Sequence, residues 1–323
     1  MKLLYVYEER IPKDLRELVR SKINENKFDY MEMTYSEPED IKIEKLKECE
    51  LVLFAPGRHL NDEILSHCSH IKLMQLWSSG YDKFNIIGSK KYNIPVANNG
   101  GSNAISVAEH TMLLIMSVSK ILPSSHVRTV TGNWAGNSHG MDMRLLYKKT
   151  LGLVGLGNIG KEVATRAKSF GMNVIYSEIK GPQYDFDNNI GSKYVTFEEV
   201  IESSDFLSLH LHHNSNTDKI IGKSEFERAK NNLILINVSR AGLVDQDAFK
   251  KALYDKQIWG AGLDVYPCEP TLPDDPILNH PRVVATPHIA GSTYDTYLNA
   301  LNRCMNNLVS VRDGNLPQFI VNN

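Results

Sequence analysis

Short apolar segments alternate with amphipathic stretches along most of the chain. Five segments in the first hundred residues have strand character, at residues 3–7, 30–34, 51–55, 73–77 and 95–98. Six more follow residue 150, at residues 151–154, 173–176, 206–211, 233–238, 261–265 and 283–285. Because stretches with helical spacing of apolar residues separate the strands, the pattern predicts parallel sheets and the α/β fold class.

Two sequence features separate the first series of predicted strands from the second. The sequence Asn98-Asn-Gly-Gly-Ser102 breaks the strand pattern, and a long apolar helix is predicted from residue 102 to about 122. Since 323 residues exceed one ordinary domain, we expect two domains. The second series matches a doubly wound, Rossmann-like sheet, and a last helix is predicted at residues 293–312.

A glycine pattern directly follows the predicted strand at residues 151–154. Gly155, Gly157 and Gly160 form GxGxxG, and apolar residues then recur at helical spacing. Such glycines permit a tight turn, a close approach of the backbone to a pyrophosphate, and close packing of helix on strand. The next strand is followed by Glu178, at the place where a carboxylate binds ribose hydroxyls. In this strand–helix–strand context the pattern predicts an NAD site.

Polar side chains follow the last three predicted strands. Arg240 follows the first of these strands, Asp264 and Glu269 follow the second, and His288 follows the third. Ligands of open α/β sheets bind at the carboxyl ends of the strands, so we expect these side chains to lie near one another. Arginine holds a carboxylate with a planar fork of donors, histidine exchanges a proton near neutral pH, and a neighbouring glutamate favours the protonated imidazole. Hydride transfer to a 2-keto acid needs these groups.

Composition narrows the classes of protein to which the chain could belong. With 42% hydrophobic and 23% charged residues the chain is typical of a globular protein. A net charge of -2 gives no electrostatic reason to expect nucleic acid or an anionic membrane as partner. The four cysteines lack CxxC spacing, which favours a reduced, cytoplasmic protein, and no metal site is predicted.

Four motifs, in order, resemble the NAD-dependent D-isomer-specific 2-hydroxyacid dehydrogenase family. They are GLGNIG at 155–160, NVSRAGLVD at 237–245, GLDVYPCEP at 262–270 and TPHIAG at 286–291. The resemblance implies that Arg240 anchors the substrate, His288 is the general acid/base, and Glu269 is the partner of the histidine. It also implies reduction of a small 2-keto acid to the D-2-hydroxy acid. The acid itself stays open among glyoxylate, hydroxypyruvate, pyruvate and bulkier 2-keto acids.

The resemblance assigns further site residues. In the first domain, the backbone N–H groups of Ser79 and Gly80 would receive the substrate carboxylate. In the NAD-binding domain, Asp264 would hold the nicotinamide carboxamide. The full set of implied cofactor contacts is Val107, Gly155, Gly157, Asn158, Ile159, Gly160, Ser177, Glu178, His210, Val238, Ser239 and Asp264.

The resemblance also implies an architecture. A flavodoxin-like catalytic domain, residues 1–101 with 292–323, would be split by an inserted NAD-binding domain, residues 102–291, with the substrate in the cleft between them. Members of the family are usually dimers joined largely through the long helix after residue 102 and the segment up to about 147. We therefore expect a homodimer.

The adenosine pocket departs from the family pattern. Ser177 stands where the family usually has aspartate, and His212 replaces the usual proline. Lys180 could meet a 2′-phosphate, whereas Glu178 would repel it, so we expect NAD over NADP.

One alternative function stays open. NAD-sensing corepressors share this fold and retain the same arginine, glutamate and histidine, so an NAD(H)-sensing interaction protein is the alternative to an enzyme. Trp77 and Trp134 are expected to be packing residues, and contact of Trp77 with substrate is the less favoured interpretation.

Overall fold

The computed structural model describes residues 1–56, 58–134 and 136–322. The strands are β1 Lys2–Tyr7, β2 Asp29–Thr34, β3 Leu51–Ala55, β4 Leu73–Leu76, β5 Val96–Ala97, β6 Thr150–Val154, β7 Asn173–Ser177, β8 Lys193–Tyr194, β9 Phe206–Leu209, β10 Ile234–Asn237, β11 Gly260–Leu263 and β12 Val283–Ala285. The α-helices are α1 Lys13–Glu25, α2 Glu39–Lys47, α3 Asp62–Ser66, α4 Ile86–Lys91, α5 Ala104–Ser119, α6 Leu122–Val130, α7 Asn158–Ser169, α8 Tyr184–Ile190, α9 Phe197–Ser203, α10 Lys223–Arg228, α11 Gln246–Tyr254 and α12 Tyr294–Arg312.

The chain divides into two compact units, Met1–Asn103 with Thr293–Asn323, and Ala104–Ser292. In the first unit, parallel strands form one sheet in the order β2-β1-β3-β4-β5, which is the flavodoxin-like order. Along β1, Leu3 and Tyr5 pack into one apolar cluster while Leu4 and Val6 pack into another. Both faces of this sheet are therefore buried, which is why its strands have near-continuous apolar sequences.

In the second unit, seven parallel strands form a sheet in the order β12-β11-β10-β9-β6-β7-β8 among the residues described. Counted from β6, this is the doubly wound order 3-2-1-4-5-6 with one further strand. Apolar clusters again cover both faces, so Leu151 and Leu153 of β6 pack on one side and Val154 on the other. The predicted α/β class and the two Rossmann-like sheets are confirmed.

The prediction of one long helix from residue 102 to about 122 is wrong in one respect, because the chain forms two helices here. Helix α5 ends at Ser119, Ile121 has φ of 46°, and α6 begins at Leu122 with Pro123 in its first turn. Proline lacks an N–H and clashes with the preceding turn, so it begins a helix more readily than it continues one. Within the described ranges no single helix is long and apolar enough to cross a membrane, although α5 and α6, bent by 63°, reach that length and composition together.

The strand predictions also need correction at three points. The strand predicted to reach residue 211 ends at Leu209, before the polar segment that begins at His210, and the strand predicted to reach residue 265 ends at Leu263, before Asp264. The short edge strand β8 was missed, because both of its residues are exposed and carry no apolar alternation.

Candidate active site

Three neighbouring strands bring the predicted catalytic residues to one edge of the second sheet. Asn237 at the end of β10 pairs with Leu263 of β11, and Leu263 pairs with Ala285 of β12. Arg240 and His288 each lie three residues beyond these aligned positions, while Asp264 and Glu269 follow Leu263. Since parallel strands all end at the same edge, their loops meet there. We call residues 286–291, which carry His288, the histidine loop.

Glu269 and His288 are joined directly. The His288 Nδ1 atom lies 3.0 Å from Oε1 and 2.9 Å from Oε2 of Glu269. The Glu269 carboxylate also accepts a hydrogen bond from the Tyr266 N–H at 3.2 Å. With Nδ1 directed at a carboxylate, Nε2 is the nitrogen available to a ligand, and the His288 side chain is 42% exposed.

Arg240 follows β10 in extended backbone conformation, and buried Asn237 fixes its segment. The Asn237 side chain donates to the Arg240 carbonyl at 2.9 Å and accepts from the Ser239 N–H at 3.1 Å. The Asn237 carbonyl in turn accepts the Asp264 N–H at 3.0 Å. The arginine segment is thus tied through the backbone to the next strand tip, while the guanidinium donates to the Ser239 carbonyl at 2.7 Å.

Asp264 is fully buried and holds the histidine loop. Its Oδ1 atom accepts from the Thr286 hydroxyl at 2.6 Å and from the Ile289 N–H at 2.9 Å. Its Oδ2 atom accepts from the Ala290 N–H at 2.8 Å. The carboxylate therefore bonds residues on both sides of His288, whose φ of 56° lies in the left-handed region.

The turn between β6 and α7, residues 155–160, is called the glycine loop here. Gly155 has φ of +100°, and a Cβ at Gly160 would lie 2.4 Å from the Gly155 carbonyl oxygen. A Cβ at Gly157 would meet nothing within 4 Å, so open space lies directly before α7. Across the described residues, the N–H groups of Gly157, Asn158 and Ile159 have no acceptor. Free N–H groups and open space at a helix start fit a pyrophosphate.

Glu178 lies beside the glycine loop, just beyond β7. Its Oε2 accepts the Leu156 N–H at 2.9 Å, and its Oε1 lies 3.4 Å from the Lys180 N–H. Ser177, the last residue of β7, contributes its carbonyl, which accepts the Gly155 N–H at 2.9 Å. The carboxylate is thereby fixed where ribose hydroxyls of a dinucleotide would lie, and the residues present fit NAD.

The other predicted cofactor residues differ in accessibility. The Ser239 hydroxyl donates to the Leu209 carbonyl at 2.6 Å, and Val238 is buried beside it. Val107, on α5, is 4% exposed and packs in the core of the second unit. His210 bonds the Ser208 hydroxyl through Nε2 at 2.9 Å, and burial lowers the pKa of its imidazole to about 3.

Ser79 and Gly80 lie in the first unit, in the loop after β4. Among the described residues no acceptor faces their backbone N–H groups. The Ser79 hydroxyl donates to the Asn99 carbonyl at 2.8 Å, and Asn98 donates to the Ser79 carbonyl at 2.7 Å. The loop is therefore braced by its carbonyl and hydroxyl while its N–H groups stay available to an anion.

Sequence reasoning missed the residues that support the histidine loop. Ser106 donates to the Ala290 carbonyl at 2.7 Å, and His110 bonds the Thr286 hydroxyl at 2.9 Å. The Tyr266 hydroxyl lies 2.9 Å from the Thr286 carbonyl, and burial raises the pKa of this phenol to about 12, so it remains a donor. Ser106 and His110 are four residues apart on a predicted helix, and that spacing was the one available sign of a shared face.

Two other predictions concern groups outside this cluster. Trp77 is buried in a core cluster and packs against Tyr297, as expected for a packing residue. Trp134 is 83% exposed, so its prediction as a packing residue is wrong. Over the described ranges, no group of three or more His, Cys, Asp or Glu is placed to hold a metal ion.

Comparison with known proteins gives the family. The model of the D-isomer specific 2-hydroxyacid dehydrogenase NAD-binding domain matches residues 112–290, more than half of the chain. The chain belongs to the D-isomer specific 2-hydroxyacid dehydrogenases. It is accordingly an NAD-dependent oxidoreductase of this family, and the matched domain contains both the glycine loop and His288.

Individual relatives agree over most of the chain. A glyoxylate reductase of Korarchaeum cryptofilum is 34% identical over 282 residues, which are 87% of this chain and 85% of the relative. A D-3-phosphoglycerate dehydrogenase of Archaeoglobus fulgidus is 32% identical over 88% of this chain, which spans about half, 55%, of that relative. Among solved structures, an acyclic imino acid reductase in complex with NADPH and D-Arg is 25% identical with a TM-score of 0.86, over 99% of this chain and 100% of the other.

Proposed function

We propose that this dehydrogenase reduces a small 2-keto acid, such as glyoxylate, hydroxypyruvate or pyruvate, to the D-2-hydroxy acid with NADH. The observation that carries the proposal is the paired contact of His288 Nδ1 with both oxygens of Glu269, at 2.9 and 3.0 Å. This pair lies at a strand tip next to the Arg240 segment. An acid/base, its orienting carboxylate and a cationic anchor are the side chains that this reduction requires.

His288 has the role of proton donor. Its Nδ1 proton points at Glu269, so the proton that reaches the carbonyl oxygen of the substrate leaves from Nε2. Bound NADH supplies the hydride that goes to the carbonyl carbon. Glu269 stabilises the charged imidazole before transfer and keeps the ring in one orientation. In the reverse direction Nε2 accepts the hydroxyl proton of the D-2-hydroxy acid.

Anchoring of the substrate is assigned to Arg240 and the loop at Ser79 and Gly80. Arg240 offers two parallel N–H donors to the carboxylate and the carbonyl oxygen, which a point charge cannot reproduce. The free N–H groups of Ser79 and Gly80 would receive the carboxylate. Donors of this kind favour an α-keto carboxylate over a simple aldehyde or ketone, because a donor that the ligand leaves unpaired costs binding energy.

The cofactor would be held by the glycine loop and the residue after β7. The pyrophosphate would lie on the N–H groups of Gly157, Asn158 and Ile159, where a Cβ at Gly157 would fill the space. Glu178 would accept the ribose hydroxyls and would repel a 2′-phosphate, which favours NAD over NADP.

Glyoxylate is the first substrate to test. The glyoxylate reductase relative matches this chain over 85% of its own length, whereas the phosphoglycerate dehydrogenase relative is matched over 55%. A match over nearly the whole of both chains is the stronger support for a shared substrate class.

A homodimer joined through α5 and the segment up to about residue 147 is part of the proposal. Large apolar side chains are concentrated on the exposed surface of this segment, in contrast to the rest of the second unit. They are Ile105, Leu113, Leu122, Val127, Val130, Trp134, Met141, Leu145 and Tyr147. A segment with this many exposed apolar side chains is typical of an interface between subunits. The cytoplasmic location expected from the cysteine content stays a prediction.

The test is the loss of reduced-nicotinamide absorbance with NADH and with NADPH, against glyoxylate, hydroxypyruvate, pyruvate, 2-ketoisocaproate and phosphohydroxypyruvate. We expect turnover with NADH and at least one small acid of this panel. Tight NADH binding without turnover on any of these acids would overturn the proposal and favour the NADH-sensing alternative.

A further inference from the structure

The backbone of the histidine loop is held in an unfavourable conformation at the residue that performs the chemistry. His288 has φ of 56°, and left-handed backbone at a residue other than glycine persists only where its surroundings hold it. Among the described residues, the His288 N–H bonds the Thr286 carbonyl two residues earlier, at 3.0 Å. The next two N–H groups, of Ile289 and Ala290, bond a side chain outside the loop.

Asp264 provides that side chain. Its carboxylate is fully buried, and its described hydrogen bonds go to Thr286, Ile289 and Ala290. These residues lie on both sides of His288, so the carboxylate joins the two arms of the loop. Hydrogen bonds to a buried charge are stronger than hydrogen bonds between neutral groups.

The proton arrangement around Thr286 is determined by counting donors. The Thr286 hydroxyl has one hydrogen, and its 2.6 Å contact with Asp264 Oδ1 assigns that hydrogen to the carboxylate. Toward His110 Nε2, at 2.9 Å, the same oxygen must then accept. His110 therefore carries its hydrogen on Nε2, a tautomer assigned from this network. Burial lowers the pKa of His110 against the opposing effect of Asp264, 3.6 Å away, so the ring is neutral near pH 7.

Helix α5 reaches the histidine loop at a second point. Ser106, one helical turn before His110, donates to the Ala290 carbonyl at 2.7 Å. Two side chains of one helix face thus bond opposite ends of the loop, which ties the loop to a long buried helix of the second unit.

We propose that His110 and Thr286 are positioning residues for the reduction, linked through Asp264 in a relay that holds His288 in its productive orientation. The relay rests on the proposed role of His288 as proton donor. It acts on turnover through the direction of the imidazole and leaves the glycine loop and the Arg240 segment unchanged. It also gives the buried Asp264 carboxylate a task within the protein, beyond the nicotinamide contact that the family resemblance implies.

The test compares Thr286→Val with Thr286→Ser in the full-length enzyme. Valine keeps the shape and loses the hydroxyl, so we expect kcat to fall about tenfold or more, since a small misplacement of a reacting group is costly. The KM for the 2-keto acid and the Kd for NADH should stay within about twofold. Serine restores the hydroxyl and should restore kcat.

His110 is tested in the same way. His110→Leu should lower kcat as Thr286→Val does, and His110→Gln, whose amide can donate to Thr286, should recover most of it. Because the two residues belong to one relay, the Thr286→Val/His110→Leu double variant should lose little more than either single variant. Additive losses would contradict the relay.

Thr111→Val is the matched control. Thr111 follows His110 on α5 and is fully buried, but its hydroxyl bonds the Val107 carbonyl of its own helix at 2.7 Å. Its variant should keep wild-type kcat, with a change in thermal stability similar to that of Thr286→Val. Equal losses of kcat, substrate affinity and NADH affinity in Thr286→Val would show general disruption and overturn the proposal.

Amide hydrogen exchange separates this inference from the proposed function. In Thr286→Val, but not in Thr286→Ser or Thr111→Val, exchange of the Ile289 and Ala290 amides should be at least about tenfold faster. This readout needs no turnover, so an inactive wild-type enzyme would overturn the function while the relay would still be measured. Unchanged exchange and unchanged kcat in both Thr286→Val and His110→Leu would overturn the relay.

Discussion

The glycine loop and the histidine loop solve the same structural problem in opposite ways. Each turns sharply at the carboxyl edge of the second sheet, and each contains a residue with left-handed φ, Gly155 at +100° and His288 at 56°. In the glycine loop the residue at that position has no side chain, so the turn carries little strain. In the histidine loop the residue is the proposed proton donor and needs its side chain, and the buried carboxylate of Asp264 bonds the backbone N–H groups that follow it. A left-handed backbone conformation at a residue with a side chain thus persists where a side chain from another loop holds it.

The largest effect should come from removing the side chain that the histidine loop presents. His288→Ala should lower kcat by about 10²–10⁴, the usual contribution of a general acid. The Kd for NADH should change little, because the glycine loop is untouched. Steady-state kinetics measure kcat, and NADH fluorescence titration measures the Kd. His67→Ala, at an exposed histidine of the first unit, is the control, and wild-type turnover in His288→Ala would remove His288 from the chemistry.

The glycine loop can be broken in two distinguishable ways. Gly157→Ala places a methyl group in open space, so we expect nearly wild-type thermal stability but about tenfold weaker NADH binding, as the methyl occupies the pyrophosphate position. Gly160→Ala forces a Cβ to within 2.4 Å of the Gly155 carbonyl and should lower stability as well. Thermal unfolding and NADH titration of both variants separate the loss of stability from the loss of cofactor binding. Unchanged NADH binding by Gly157→Ala would place the pyrophosphate elsewhere.

The contact between Glu269 and His288 can be weakened without removing either side chain. Glu269→Gln keeps a hydrogen-bond acceptor for His288 Nδ1, but one neutral oxygen replaces the two charged oxygens that the ring meets at 2.9 and 3.0 Å. If the pair orients the ring as proposed, kcat should fall by up to about tenfold, since a small misplacement of a reacting group is costly. The Kd for NADH should change little. Steady-state kinetics and NADH titration measure both quantities, and a wild-type kcat would contradict the proposed role of Glu269.

The smallest effect concerns His210 and the stability of the second unit. Burial lowers the pKa of His210 to about 3, whereas the unfolded chain binds the proton near pH 6.5. Stability from the neutral ring is therefore present above about pH 6.5 and is lost as pH falls toward 3, by at most about 1.4 kcal/mol per pH unit. His210→Gln keeps a partner for Ser208 and should flatten this loss. Urea unfolding at neutral pH and at about pH 5 measures the loss in the free energy of unfolding. An equal loss in the wild-type protein and in His210→Gln would contradict the burial effect.

Sequence alone predicts the glycine loop well because its causes are local. Three glycines, the preceding apolar strand and Glu178 lie within one strand–helix–strand unit, and each has a direct geometric reason. The identity and order of Arg240, Glu269 and His288 were also accessible, since they follow successive strands. Their pairing geometry was not, because it depends on the register of β10, β11 and β12.

The supports of the histidine loop were hidden for a different reason. Ser106 and His110 lie about 180 residues before the residues that they contact. Polar residues in an apolar helix are ordinarily explained by local bonds, as Thr111 is. The break between α5 and α6 is a different case, because Pro123 in the first turn of α6 is a local signal that the prediction of one continuous helix did not use. Long-range partners leave no periodic signal in a single sequence.

The most direct test is the configuration of the product. Reduction of pyruvate or hydroxypyruvate with NADH, followed by chiral separation, reports the face of the carbonyl that receives the hydride while His288 protonates the oxygen. Where glyoxylate alone is turned over, deuterated NADH makes the glycolate chiral and gives the same information. We expect a single product of the D configuration, or its deuterated glycolate equivalent. An L product, or a racemic one, would contradict the assignment of Arg240 as substrate anchor and of His288, oriented by Glu269, as proton donor.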